Sequence, residues 1–242
     1  MGVFKSENKA PQGAANRNRG VDHMVDAGRR VIPRKVVEHV PDNMLQKDLE
    51  KFRLMALELG AAGAKIIKSD IVPVQYRVVA KCTYPKCSVY GTCANCPPYA
   101  MSVEQTKKII AEYRYAIFLW IELPRESFVG ADIDKAIRPL QIKMLELVSK
   151  IEAAAFYDGY PLALGYSGGS CKNAFCPDLE CSALQTGKPC RFPFKARSSM
   201  EAVGINVMAL AAKLGLDIYP LGFSVLPEDI PFGRRCGIVF ID

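Results

Sequence analysis

The chain has 242 residues, of which 50 % are hydrophobic and 24 % charged, and 32 Lys and Arg against 25 Asp and Glu give a net charge of +7. This is the composition of an ordinary globular protein with room for a sizeable core. The segment from Lys5 onward is polar and no apolar run approaches a membrane span, which excludes a membrane-spanning chain and predicts a soluble, cytoplasmic protein.

Residues 1–40 differ in character from the rest of the chain. They carry eight Lys or Arg against four Asp or Glu, a net charge of +4, with few apolar residues and little periodicity. We predict a flexible basic arm over residues 1–40 and a folded domain over residues 41–242. The arm is a solvated tail, a docking segment for an acidic partner such as another protein subunit of a complex, or, as the least favoured alternative, a segment that contacts nucleic acid or membrane. Its single aromatic residue, Phe4, argues against base stacking.

The first half of the folded domain contains signals for both helices and strands. Apolar residues at helical spacing predict a helix from about Pro41 to Gly60, and β-branched residues then predict strands over 65–74 and 75–80. The capping box Ser102-x-x-Gln105 predicts a helix to about residue 113. The apolar run 115–123 is the clearest buried strand in the chain.

The second half continues the alternation. A long amphipathic helix is predicted around Pro139, and a short strand over 162–166 opens into Gly168-Gly169, where we expect the backbone to approach a bulky cofactor. Ser198-x-x-Glu201 predicts a further capped helix, followed by strands over 217–225 and 237–241. This order predicts an α/β fold, a single compact domain with two cysteine-rich loops at strand ends, preceded by the basic arm.

Eight of the nine cysteines lie in two groups with the spacings C-x4-C-x5-C-x2-C and C-x4-C-x4-C-x8-C. Both groups lie in segments rich in Gly, Pro and Asn, which are typical of loops. Four thiolates are the complete ligand set of a [4Fe-4S] cluster or of a structural zinc. We therefore predict metal ligands in a first set, Cys82, Cys87, Cys93 and Cys96, and a second set, Cys171, Cys176, Cys181 and Cys190.

Three features favour iron–sulfur clusters. The only histidines, His23 and His39, lie far upstream; a single C-x2-C pair is present; and proline directly follows Cys96 and Cys176, as in bacterial ferredoxin runs. Two [4Fe-4S] clusters are expected, with one cluster plus Zn as the alternative. Disulfides belong mainly to small secreted domains and are less consistent with this chain.

The sequences around both sets are similar to those of a known family. They are Cys93-Ala-Asn-Cys96-Pro-Pro, Gly168-Gly-Ser-Cys171 and Arg197-Ser-Ser-Met-Glu-Ala-Val-Gly204. Over roughly residues 70–225 the chain resembles the family of cysteine-rich "predicted metal-binding proteins" of unknown function found in anaerobic bacteria and archaea. The resemblance implies the eight cysteines as a ligand set and implies no particular reaction.

No constellation of His, Ser and carboxylates predicts catalysis. The leading interpretation is a non-catalytic electron-transfer subunit of a larger redox complex, active in anaerobic metabolism. The alternatives are an iron–sulfur enzyme or maturation factor with an open iron site, and a zinc-stapled interaction protein. The ninth cysteine, Cys236, is expected to be an ordinary buried thiol.

Overall fold

The apolar run identified in the sequence is an inner strand of a four-stranded antiparallel sheet in the computed structural model, which describes residues 31–128, 133–221 and 225–242. The sheet order is β1-β2-β4-β3, and each neighbouring pair is antiparallel. In chain order the strands are β1 (Gly63–Lys68), β2 (Tyr115–Leu123), β3 (Leu164–Tyr166) and β4 (Gly233–Phe240).

Helices cover the sheet and connect its strands. None of the described helices is both long and apolar enough to cross a membrane. In chain order they are α1 (Asp42–Glu58), α2 (Tyr76–Thr83), α3 (Val103–Ile110), α4 (Ile133–Tyr157), α5 (Cys171–Phe175) and α6 (Val207–Lys213).

Strand β2 is buried on both faces because alternate residues enter different cores. Ile117 and Leu119 pack with apolar residues of α1 and α4, including Phe52. Phe118 packs on the opposite face with β4 and with residues of α6, including Leu210. The two-sided burial explains why this segment is a continuous apolar run without polar alternation.

Several sequence predictions are confirmed, including the α/β class and the single compact domain. The capping box is present at the start of α3: the Ser102 hydroxyl accepts from Gln105 N at 3.2 Å and the Gln105 side chain accepts from Ser102 N at 2.9 Å. The predicted long helix is α4, which contains Pro139 in its interior. The apolar run forms β2 with the predicted bounds.

The predicted strand over 75–80 is wrong, because this segment is in helix α2. The sequence signal was Val78 and Val79, and β-branched residues in a short run do not by themselves distinguish a strand from a helix. Helix α2 packs on a short 3₁₀ turn, Glu201–Val203, far away in sequence. Tertiary packing therefore decides the local structure here, and the first set of cysteines is reached through a helix rather than from a strand end.

The helix predicted from Ser198 is also interrupted. Only a 3₁₀ turn forms at Glu201–Val203, and Gly204 follows with φ 90°. A Cβ atom on Gly204 would lie 2.9 Å from the Val103 side chain. Glycine, which has no Cβ atom, therefore fits both the positive φ and the close approach of Val103. Helix α6 begins only after Asn206, whose side chain accepts from Ala209 N at 3.0 Å.

The C-terminal strands differ from their predicted bounds. Residues 217–221 are neither helix nor strand, and residues 222–224 of the predicted strand lie outside the described residues. The closing strand β4 begins four residues earlier than predicted, and therefore contains Cys236.

Part of the predicted arm, residues 31–40, lies within the described residues and forms neither helix nor strand. Arg34 makes a two-point ion pair with Asp48 of α1, and the Tyr160 hydroxyl donates to the same carboxylate at 2.8 Å. Burial opposes ionisation of Asp48, but these hydrogen bonds outweigh it and its pKa is lowered. The boundary at residue 40 stays a prediction, and residues 1–30 lie outside the described part of the chain.

Candidate metal centre

The first set lies between α2 and α3. Cys82 is in the last turn of α2, and the following loop turns back on itself, with Cys87 N donating to Cys82 O at 3.0 Å and Cys96 N to Cys93 O at 3.2 Å. Cys93 and Cys96 are buried, whereas Cys82 and Cys87 are half-buried. The loop thus places two sulfurs in the interior and two near the surface.

The second set follows β3, at a strand end as predicted. Cys171 is the first residue of α5, and Cys176 caps the C-terminus of this helix. Cys181 and Cys190 lie in the irregular segment that follows, which contains one short 3₁₀ turn, Ser182–Leu184. Short helical turns and loops, rather than sheet ladders, therefore position all four cysteines.

The paired glycines before Cys171 lie against strand β4. A Cβ atom on Gly168 would lie 2.7 Å from Cys236 O, and one on Gly169 would lie 2.4 Å from an Arg235 guanidinium nitrogen. Gly169 also has φ 85°. The glycines allow close packing of this turn against β4, and their approach to a cofactor stays a prediction.

The fold brings sulfurs of the two sets together. Cys93 and Cys96 of the first set pack in one buried cluster with Cys171 of the second set, although Cys171 is 78 residues further along the chain than Cys93. The Ser170 hydroxyl oxygen lies 3.5 Å from Cys96 Sγ, and Asn95 Nδ2 lies 3.4 Å from Cys171 Sγ. The two sets are therefore adjacent and meet at Cys93 and Cys171.

The three thiols of this cluster differ in the direction in which their pKa values are shifted. Hydrogen bonds from Cys171 and Cys96 lower the pKa of Cys93, against the effect of burial. The contact with Cys93, followed by burial, raises the pKa of Cys96 and of Cys171. The first negative charge at this junction is thus stabilised by its neighbours, and a positive partner such as a metal would favour ionisation of the other two thiols.

A cavity of about 300 Å³ opens beside this junction. Since one water molecule occupies about 30 Å³ in the liquid, the space is much larger than a single small ion needs. Phe175 and Phe192 stack at 5.0 Å between ring centroids and form part of its wall. The five cysteines that line it are Cys93, Cys171, Cys176, Cys181 and Cys190.

The arrangement of these sulfurs bears on the kind of metal group. Tetrahedral zinc lies about 2.3 Å from each sulfur, so its four sulfurs must lie within about 4 Å of one another. Among the described residues, no three His, Cys, Asp or Glu converge as a single-ion site requires. Cysteine sulfurs spread around a large space are a donor set that fits a polynuclear group with thiolate ligands.

Basic side chains fasten the second set's loop. The Lys172 ammonium group donates to three backbone carbonyls, of Cys176 at 2.7 Å, Pro177 at 2.8 Å and Leu179 at 2.9 Å. Arg191 donates to Glu180 O at 2.5 Å. These contacts organise the loop and place positive charge beside a site that would carry negative thiolates.

Cys236 is separate from the cavity. It lies in β4 opposite Trp120, is 3 % exposed, and belongs to the second apolar core. Burial raises its pKa to about 12, so the thiol stays protonated at neutral pH.

Sequence reasoning missed two polar residues of this region. Asn95 lies between two cysteines of the first set, and Ser170 directly precedes Cys171. Their only sequence signal was this adjacency, because the contacts that they make are between segments or around a loop.

A cysteine-rich site of this kind defines a metal-binding class of protein. Consistent with this, the family model described as predicted metal-binding protein (DUF2284) matches residues 65–224, more than half of the chain. The chain therefore belongs to this family, as the resemblance indicated. All eight cysteines of the two sets lie inside the matched region, and Cys236 lies outside it. No curated protein and no solved structure matches the chain.

Proposed function

We propose that this metal-binding protein is an iron–sulfur protein that holds two [4Fe-4S] clusters, one on each set of cysteines. The observation that carries the proposal is the cavity of about 300 Å³ bordered by all four cysteines of the second set. In the first set, Cys87 N donates to Cys82 O at 3.0 Å and Cys96 N donates to Cys93 O at 3.2 Å, and these turns of the loop support a common centre for the four residues. One cluster plus Zn is the alternative.

We further propose that the two centres transfer electrons. Cys93 and Cys171 lie in the same buried cluster and line the same cavity, so cofactors on the two sets would be neighbours. The described residues that line the cavity include no His, Asp or Glu, which favours a relay over an enzyme or maturation factor with an open iron site. When bound, the clusters would supply one-electron redox chemistry, while the cysteines hold them and the aromatic wall limits water access.

Metal analysis tests the cofactor directly. Protein purified without oxygen is expected to be brown and to contain about eight iron and eight sulfide ions per chain, because each cluster has four of each. Cys96→Ala and Cys176→Ala should each remove about half of the iron. Cys236→Ala is the matched control and should keep all of it, since this thiol lies in the apolar core. A colourless protein with stoichiometric zinc would contradict the proposal.

The proposed partner is another protein subunit of a cytoplasmic redox complex, with the basic N-terminal segment contributing to docking. Deletion of residues 1–30 preserves Arg34 and its ion pair with Asp48, so the folded domain and its metal content should be unchanged. Association with the native complex should weaken, and more so at low salt, because exposed charges are screened over about 8 Å at physiological ionic strength. Equal binding of both forms at low and high salt would exclude a docking role.

A further inference from the structure

Two polar side chains, Asn95 and Ser170, each contact a cysteine sulfur of the set that lies in the other segment. Asn95 belongs to the segment of the first set, yet its Nδ2 lies 3.4 Å from Cys171 Sγ of the second set. Ser170 belongs to the segment of the second set, yet its Oγ lies 3.5 Å from Cys96 Sγ and 3.9 Å from Cys93 Sγ of the first. Each set therefore contacts a polar group that the other segment supplies.

Other contacts of the Ser170 side chain fix the direction of its hydrogen bond. Its hydroxyl oxygen accepts from Lys172 N at 3.1 Å as the N-cap of α5, which leaves its single proton for a sulfur. Cys96 Sγ is the nearer of the two sulfurs. Ser170 is buried, at 9 % exposure, so solvent competes little for this proton.

The orientation of the Asn95 amide follows from similar reasoning. Its oxygen accepts from the Ser198 hydroxyl at 3.2 Å, which turns the NH₂ group toward Cys171. A thiolate that ligates a metal can only accept a hydrogen bond. The amide is thus held as a donor to a sulfur of the second set.

We propose that Asn95 and Ser170 are crossed tuning residues: Asn95 raises the reduction potential of the centre on the second set, and Ser170 that of the centre on the first. The inference rests on the proposed function. Hydrogen bonds to ligating sulfurs stabilise the more negative, reduced state of a centre and so raise its potential. Each donor belongs to the segment of the other set. The position of one loop therefore affects the reduction potential of the centre that the other loop holds.

The test is a redox titration of the loaded, full-length protein followed by electron paramagnetic resonance. The two signals are assigned with Cys82→Ser and Cys176→Ser, each of which should alter one centre. Asn95→Leu removes the amide donor at similar volume and should shift only the second-set centre to a more negative potential. Ser170→Ala should shift only the first-set centre, and Ser170→Thr, which keeps the hydroxyl, should restore its potential.

Second variants keep the test decisive if these proteins load poorly. Asn95→Ala removes the donor without adding a charge, and Ser170→Gly is tolerated as an N-cap. Asn206→Ala removes the cap of α6 and is the control for cap loss; it should leave both potentials unchanged. Three results would overturn the crossed assignment. They are a shift in potential only at the centre of the residue's own set, equal shifts in the potentials of both centres, and no shift in loaded protein. Zinc in place of clusters would instead overturn the proposed function, and this inference with it.

Discussion

The sheet and the cysteine segments are stabilised in different ways. The inner strands β2 and β4 are packed on both faces, and residues such as Phe118 and Phe240 are completely buried. The buried cluster around the cysteines is much smaller, and three of its five members are themselves predicted ligands, Cys93, Cys96 and Cys171. The comparison indicates that apolar burial can stabilise the sheet without metal, whereas the cysteine segments depend on ligation and on polar contacts to backbone.

The largest expected loss of stability tests whether the sheet is stable without bound metal. Phe118→Ala should lower the free energy of unfolding by about 3–5 kcal/mol, because it leaves a cavity in the second core. Urea unfolding of metal-free and metal-loaded protein measures this loss, which should be similar in both forms. Val36→Ala, at an exposed position, is the control and should change stability by less than about 0.5 kcal/mol.

A different result would show that the sheet and the cysteine segments are stabilised together. If metal-free protein showed no cooperative unfolding, and Phe118→Ala mattered only in the loaded form, the metal centres would stabilise the sheet as well. The cysteine segments would then be part of one cooperative unit with the core.

The elements that could be predicted from the sequence are those with strong local signals. The continuous apolar run gave β2 its bounds, and the reciprocal capping residues Ser102 and Gln105 marked the start of α3. Helix α2 could not be predicted, because its eight residues carry a β-branched pair and it packs on a turn more than a hundred residues away. The break at Gly204 likewise depends on a neighbour, Val103, that the sequence does not reveal.

The candidate site could be predicted as a set of residues but not as an arrangement. Cysteine spacing identified two groups of four, and their role as metal ligands stays a prediction. The buried cluster that contains Cys93 and Cys171, and the contacts of the donors Asn95 and Ser170, join segments that are far apart in sequence. Such contacts arise from how β3 and α5 place the second set beside the first, which no local pattern encodes.

A second, smaller effect is expected at the junction of the N-terminal segment and the sheet domain. Arg34→Ala leaves the buried Asp48 carboxylate with Tyr160 as its remaining donor. We expect a loss of about 1–3 kcal/mol in unfolding free energy, less than for a fully buried pair because Arg34 is 35 % exposed. The control Arg53→Ala breaks a pair with Glu50, whose carboxylate is much more exposed than that of Asp48, and should leave the unfolding free energy essentially unchanged.

The pH dependence of this contact has a defined sign. Because the pKa of Asp48 is lowered on folding, its contribution is fully present above the unfolded value of about 3.9 and is lost as pH falls through the lower folded value. The stability difference between the native protein and Arg34→Ala, measured by urea unfolding, should therefore shrink in that acidic range. A difference that stays constant through the range would show that the ion pair does not stabilise the fold.

The smallest global effect should come from Lys172, although its local effect should be clear. Lys172→Met removes the donor to three carbonyls of the second set's loop, but two of these contacts are exposed and water can replace the ammonium group there. We expect less than about 1 kcal/mol of global destabilisation, together with faster amide exchange across residues 171–190 and unchanged exchange in β2. Hydrogen exchange followed by mass spectrometry resolves the two regions. Lys188→Met, which removes a contact only to the Gln185 side chain, is the matched control and should leave both unchanged. Equally faster exchange in β2 would show that the cysteine loop and the sheet open as one unit, contrary to the difference between them described above.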